Sequence, residues 1–304
     1  MSRVLVFGGT GTIGRATVQA LVAAGHEVVC FGRRAPDGVE FRAGDVTMPA
    51  QAFEDERFDA VISCLASRTG APDDAWAIDY RAHRAILEAA QAAGVGHMVL
   101  LSAICVQKPL LAFQHAKLAF EQALVSSGLR YSIVRPTAYF KSLSGQLDRV
   151  RRGKPFLLFG DGRSTACKPI SDDDLAAYLV GCLHDERRWD RILPIGGPGP
   201  AITPREQGER LFALLGAKPR FRSVPVRLLD VIVGVLRATG LREKAELARI
   251  GRYYATESML VLDPVTGRYD ADATPATGSQ TLFDFYAQLV TRGASVERGE
   301  HAVF

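Results

Sequence analysis

With 304 residues, 47% of them apolar and 23% charged, and a mean hydropathy near zero, the chain has the make-up of a folded globular protein; disordered, collagenous and low-complexity classes are excluded. The net charge of +4 is spread along the chain, with no basic stripe interleaved with aromatics, so nucleic acid is not an expected partner and anionic small molecules are. Five cysteines, Cys30, Cys64, Cys105, Cys167 and Cys182, form no C-x-x-C pair and no zinc pattern, and read as reduced thiols without a metal.

The chain opens Met1-Ser2-Arg3 and enters an apolar run at Val4, which leaves no room for a signal or transit peptide and leads us to expect a cytoplasmic location. Apolar runs at 4–7, 26–31, 60–64, 98–101 and 131–134 predict buried strands, and helical spacing at 15–24, 77–93 and 113–126 predicts the helices between them. This alternation predicts an α/β fold with a doubly wound parallel Rossmann sheet. After Pro136 the alternation stops, and clusters such as Gly160-Asp161-Gly162 and Gly196-Gly197-Pro198-Gly199-Pro200 punctuate the rest. A strand at 192–195 is expected to return to the sheet. The longest apolar stretch, 228–236, is interrupted by Asp230 and bounded by Arg227 and Arg237. It falls well short of the about 20 residues that a spanning helix needs, leaving peripheral membrane contact as the only kind open to it.

Phe7-Gly8-Gly9-Thr10-Gly11-Thr12-Ile13-Gly14-Arg15 satisfies G-x-G-x-x-G between a predicted strand and a predicted helix. Glycine is needed there because the backbone turns sharply and approaches a pyrophosphate, while the helix N-terminus supplies N–H donors. At the end of the second strand an acidic residue would hold the ribose 2'-hydroxyl of NAD; Gly32-Arg33-Arg34 stands there instead. Arg33, with Arg15, offers charge-assisted bonds to a 2'-phosphate, which points to NADPH. In Gly44-Asp45-Val46, Asp45 reads either as an acceptor for the adenine amino group, with Val46 on the ring, or as a helix cap. Cys64-Leu65-Ala66 ends a strand where the nicotinamide ribose would lie. The chain is accordingly divided into an NADPH-binding Rossmann domain, 1–140 with a return segment at about 170–198, and a substrate lobe, 199–304 with about 141–169.

Short-chain dehydrogenases place Ser or Thr at a later strand end and Tyr-x-x-x-Lys on the next helix; the Tyr protonates a carbonyl oxygen and the Lys lowers its pKa and holds the ribose. Ser102 and Lys117 occupy those places here, but Phe113 stands where the tyrosine would be. A phenyl ring has no proton to give, so carbonyl reduction by that route is disfavoured. Two chemistries remain: hydride delivery to a carbon-carbon double bond, and a nucleotide-binding scaffold without catalysis. For Lys117 itself the alternative to the ribose is a surface position on an amphipathic helix.

Beyond these motifs the sequence resembles the NADPH-dependent divinyl (proto)chlorophyllide 8-vinyl reductases, atypical short-chain dehydrogenases of (bacterio)chlorophyll biosynthesis. The resemblance is carried by Ser63-Cys64-Leu65-Ala66-Ser67-Arg68, by Leu101-Ser102-Ala103-Ile104-Cys105-Val106-Gln107-Lys108-Pro109 and by Tyr131-Ser132-Ile133-Val134-Arg135-Pro136-Thr137-Ala138. It continues through 140–143, 159–162, 167–171, 193–199, 250–255, 257–260 and 263–264. It implies reduction of the 8-vinyl group of a magnesium tetrapyrrole to ethyl, the magnesium belonging to the substrate. Lys117 and Tyr139 are then candidates for the proton. Phe113, Tyr139, Phe140, Phe159, Tyr253 and Tyr254 are candidates for the ring pocket, with core packing the alternative for each. Lys108, Lys141, Lys168 and Arg252 are candidates for the propionate. A cytoplasmic protein, at most peripheral to a photosynthetic membrane, is expected. Another double-bond reductase and a non-catalytic NADPH-binding assembly factor are the alternative functions.

Overall fold

In a computed structural model the described residues are 1–54 and 56–293. The chain divides into two units, 1–68 with 72–136 and 172–194, and 69–71 with 137–171 and 195–304. Each unit is held by its own core.

The first unit is built on a sheet of seven strands in the order β3-β2-β1-β4-β5-β6-β8. These are β1 (Arg3–Phe7), β2 (Glu27–Gly32), β3 (Glu40–Ala43), β4 (Ala60–Ser63), β5 (His97–Leu101), β6 (Arg130–Pro136) and, after β7 below, β8 (Arg191–Ile195). β1 to β6 pair in parallel, with Val6 level with Cys30 on one side and Ile62 on the other. Parallel strands are covered on both faces, and the continuous apolar runs follow from that. Val4, Leu5, Val6 and Phe7 are all fully buried, as are Val61, Ile62, Met98 and Val99.

The connections are α1 (Thr12–Ala23), a segment of α2 (Pro72–Ala75), a π-helical turn at Trp76–Ala82 and α3 (His83–Ala92), and then α4 (Ala112–Val125). Two points depart from the sequence reading. The helix expected at 77–93 is wound wide over its first turns, and there the Ile78 carbonyl is held by the His83 ring at 2.8 Å. β3 was not foreseen because its pattern is broken by charge. Arg42 is nonetheless buried, held by Glu40, Glu56 and the Ala52 carbonyl and lying over the Phe58 ring.

The second unit holds α5 (Phe140–Leu143), α6 (Leu147–Arg151) and β7 (Phe156–Phe159), which pairs in parallel with β9 (Phe221–Val224). α7 (Asp172–Gly181) belongs to the first unit and packs against α1. Beside the β7–β9 pair stand α8 (Pro204–Leu214), α9 (Val226–Ala238), α10 (Arg242–Thr256) and α11 (Leu282–Arg292), with a small antiparallel pair β10 (Val261–Leu262) and β11 (Tyr269–Asp270). Capping boxes start α8 and α11, Thr203 with Glu206 and Thr281 with Asp284. Gly208 is required for packing, since a Cβ there would lie 2.6 Å from Phe221 and 3.1 Å from Phe156. The core is closed by Tyr286, whose hydroxyl donates to the Leu143 carbonyl at 2.8 Å and accepts from Gln207 at 2.6 Å.

Candidate nucleotide and reductase site

Parallel pairing gathers the carboxyl ends of β1 to β6 at one edge of the sheet, the edge where ligands of open α/β sheets sit. Apart from Lys117 on α4, the nucleotide residues read from the sequence lie at or after those ends. Gly8 follows β1, Arg33 follows β2, Asp45 and Val46 follow β3, Cys64, Leu65 and Ala66 follow β4, Ser102 follows β5, and Pro136 closes β6.

The glycine turn has the shape that a dinucleotide requires. Gly8 adopts φ +80°, and a Cβ there would lie 2.7 Å from the Cys64 carbonyl carbon; at Gly14 it would lie 2.0 Å from the Gly8 oxygen. Gly11 donates its N–H to the Gly8 carbonyl at 3.1 Å and caps α1 without a side chain. The first N–H groups of α1, at Thr12, Ile13 and Gly14, are thus left to an external acceptor, with no side-chain cap among the described residues. Ile13 itself is buried, so only its backbone is available, whereas Thr10 and Arg15 are exposed. The residues present therefore fit a nucleotide pyrophosphate.

Arg33 is exposed at the end of β2. Asp45 accepts the Thr47 N–H and the Thr47 hydroxyl, both at 2.8 Å. Those two bonds, with the positive charge of Arg33, hold its carboxyl below the usual range. Asp45 closes a local turn and is not a helix cap: the short helix that follows, Pro49–Ala52, has Met48 before it and no side-chain cap. Val46 packs against the core. Burial pushes the Cys64 thiol up to about 12, so it stays neutral, 3.8 Å from the Thr17 hydroxyl.

At the ends of β4 and β5 lies a cluster that the sequence reading only half recovered. Lys117 is buried, and its ammonium pairs with Asp79 at 3.0 Å. The surface reading of this lysine is thereby corrected: α4 turns it inward. The same Asp79 oxygen accepts the Ser67 N–H at 3.2 Å, while its other oxygen, Oδ2, is buried and has no hydrogen-bond partner among the described residues. Ser102 donates its hydroxyl to Glu121, which Arg135 grips with two nitrogens. Ser102 is therefore engaged within the fold and offers a ligand only its remaining lone pairs. His83 lies between the Ser63 hydroxyl at 2.9 Å and the Ile78 carbonyl at 2.8 Å. Burial, and then the charge of Lys117, pushes it down to about 4, so it is a neutral ring at physiological pH. Asp79, His83, Leu100, Leu101, Ser102, Lys117 and Phe120 line a crevice too narrow for a water molecule. Phe113 stands half-buried one turn before Lys117 on α4.

Asp79, His83 and Glu121 had no motif to announce them; the one available hint was acidic and imidazole side chains four apart within an otherwise apolar helical pattern.

In the second unit Tyr139 is half-buried, its backbone bridged to Ile170. Two candidates for the ring pocket are corrected. Phe140, 2% exposed, packs on Phe285 with ring centres 5.5 Å apart, and Tyr253 is 3% exposed. Both rings are packed within the fold, as the alternative reading of each had it. Among the candidate cations, Lys168 donates to the Thr274 carbonyl at 2.9 Å and Arg252 pairs with Asp230. Lys141 is half-buried and, among the described residues, has no such partner. His115 is exposed on α4, and among the described residues no group of His, Cys, Asp and Glu is arranged to hold a metal.

Comparison with known proteins agrees with this geometry. An NAD(P)H-binding family model matches residues 8–186. The divinyl chlorophyllide a 8-vinyl-reductase of Zea mays is 47% identical, over 99% of this chain and 82% of the relative, and that of Arabidopsis thaliana is 46% identical, over 98% and 79%. Among solved structures, an NADPH-dependent quinone oxidoreductase of Escherichia coli complexed with NADPH superposes with a TM-score of 0.72 over 94% of this chain and 99% of that one, at 18% identity, a likeness of fold. With near-full-length relatives of this identity and an NAD(P)H cradle in place, the chain belongs to the divinyl chlorophyllide a 8-vinyl-reductase family.

Proposed function

We propose that this chain reduces the 8-vinyl group of divinyl chlorophyllide or protochlorophyllide to ethyl, with NADPH as the reductant. The observation that carries the reading is a nucleotide cradle joined to a site without the tyrosine acid: Lys117 is present and buried, and Phe113 stands where a carbonyl reductase would keep that tyrosine. Bound in the cradle, the reduced nicotinamide supplies a hydride. A vinyl acceptor needs no acid at an oxygen, because the negative charge it gains spreads over the macrocycle, and a single proton then completes the ethyl group. The chain's task is to orient a flat apolar ring and exclude water.

Lys117 has three N–H donors, one of them directed to Asp79; the others are available for the nicotinamide ribose and for the proton. Tyr139 is the second candidate for that proton. Phe113 contributes an apolar wall, and Lys141 the cation for a propionate. Thr10, Gly11, Thr12, Ile13 and Gly14 hold the pyrophosphate through their backbone, Leu65, Ala66 and Pro136 flank the nicotinamide, and Asp45 with Val46 receives the adenine. In this reading 137–171 and 195–293 form the substrate lobe. No described helix is long and apolar enough to cross a membrane; we place the protein in the cytoplasm, in peripheral contact with a photosynthetic membrane.

Preference for NADPH over NADH rests on Arg33 and Arg15. Arg33→Ala is expected to raise the KM for NADPH about tenfold or more, the worth of a charge-assisted pair, and to leave the KM for NADH nearly unchanged; equal effects on both would remove the 2'-phosphate from the account. Reduction itself is read by mass spectrometry with NADPH deuterated at both positions of the nicotinamide C4. Deuterium in the new ethyl group is the expected result, and an unlabelled or unreduced macrocycle refutes the proposal.

A further inference from the structure

The apolar stretch at 228–236 forms most of α9, a helix of 13 residues in which none is buried. Leu229, Val233 and Leu236 are half-buried, and the helix packs along α10. Leu228, Val231, Ile232 and Val235 are 47%, 61%, 38% and 57% exposed, followed by Leu241 at 45%. At about 100° per residue the first four fall within one stripe about 100° wide. Arg227, Asp230 and Arg237 lie outside that stripe.

The charge around this helix is lopsided. From Lys218 to Lys244 the chain carries seven basic residues, Lys218, Arg220, Arg222, Arg227, Arg237, Arg242 and Lys244, against Asp230 and Glu243. All seven are exposed, and Asp230 is paired with Arg252. The surplus of five in this segment exceeds the surplus of four for the whole chain: although no basic stripe runs through the sequence, the stretch that contains α9 is richer in Lys and Arg than the rest.

We infer that the aliphatic face of α9 and its basic surround dock the protein in the plane of an anionic lipid bilayer. A helix of this length, about 20 Å, is too short to span, while an apolar stripe with Arg227 at its edge, in a segment rich in exposed Lys and Arg, is the pattern of a helix that lies in the headgroup layer. Each Lys or Arg close to an anionic surface strengthens binding about fivefold. A second copy on this face would bring two cationic surpluses together, which like-charge repulsion opposes. Protein partners are most often anchored by Trp, Tyr or Arg seated in a pocket; the stripe has no aromatic residue. The inference deepens the peripheral-contact part of the reading above and is independent of the reduction chemistry.

The test is co-sedimentation of the full chain with phosphatidylcholine vesicles, with and without phosphatidylglycerol, in the absence of NADPH and substrate. Binding to the phosphatidylglycerol vesicles, weakened at high salt and nearly absent on phosphatidylcholine alone, is expected. Val231→Asp with Val235→Asp alters only exposed positions and is expected to cut binding at least tenfold while NADPH binding and thermal stability stay as in the parent. Arg222→Glu with Arg227→Glu is expected to remove the dependence on phosphatidylglycerol. The inference is overturned if the parent fails to bind the anionic vesicles or if the aspartate variant binds like the parent. It is equally overturned if the parent is a dimer that this variant dissociates, or if the variant changes only the KM for the macrocycle. Because sedimentation needs no turnover, an inactive protein that binds vesicles would count against the proposed reaction and not against the docking surface.

Discussion

Lys117 and Asp79 form a pair that burial makes interdependent: the lysine side chain is 11% exposed and the carboxylate is fully buried. Removing one charge from such a pair strands the other, at a cost of about 3–5 kcal/mol. Asp79→Asn is therefore expected to lower the unfolding free energy by that order and to reduce kcat at least tenfold. Asp79→Asn with Lys117→Met, which removes both charges, is expected to recover most of the stability and none of the activity. Denaturant unfolding and turnover of the two variants check this, and a single variant as stable and active as the parent would contradict it. Lys117 was legible because its spacing from Phe113 is a motif. Asp79, 38 positions earlier in the chain, becomes its partner only when α4 packs on the π-helical turn, a proximity that no local pattern encodes. Phe140 and Tyr253 went the other way: as aromatic residues in matching blocks they suited a ring pocket, and the core claimed them.

Among the elements, the glycine turn with α1 carries the most exact demands, and its glycines have separable tasks. A Cβ at Gly14 would meet the Gly8 oxygen at 2.0 Å, whereas at Gly11, with φ −69°, the nearest atom would be 3.4 Å away. Gly14→Ala is expected to cost about 1–3 kcal/mol of stability through overpacking and to abolish tight NADPH binding. Gly11→Ala should keep the parent's stability to within about 0.5 kcal/mol and weaken NADPH about tenfold, because the added methyl stands where the pyrophosphate approaches the helix. Thermal melts and fluorescence titration with NADPH separate the two. The turn was fully legible because its backbone geometry admits hardly any other residue. β3 was not, since Glu40 and Arg42 break the apolar pattern and the strand depends on a guanidinium buried among carboxylates. The π-helical turn was equally hidden: the His83 ring meets the Ile78 carbonyl within it, and Asp79 on it is held from outside by the Ser67 N–H and the Lys117 ammonium.

Across the whole molecule, buried imidazoles make folding sensitive to acid. His83 and His97 are each pushed down to about 4, by burial first and then by the charges of Lys117 and Arg130. In the unfolded chain they take up a proton near 6.5, so between that pH and about 4 the unfolded state binds more protons and stability falls as the pH drops. The loss at pH 5 is about 2 kcal/mol for each ring. Tm is expected to be clearly lower at pH 5 than at pH 7.5, and His97→Gln, which retains a hydrogen-bond partner for Ser132, should narrow the gap; a variant with the full gap would show that other groups govern it. At this scale the parallel sheet and its nucleotide edge were readable from alternating runs. The second unit was not, because its core is assembled from short segments, such as Phe140, Phe156, Phe212 and Tyr286, that lie far apart in the chain. The most direct test of the account is to incubate the purified protein with NADPH and divinyl chlorophyllide and follow the Soret band. A blue shift, matched by NADPH consumed and by an 8-ethyl product, is expected; tight NADPH binding with no shift and no product would contradict the reductase and leave a nucleotide-binding scaffold in its place.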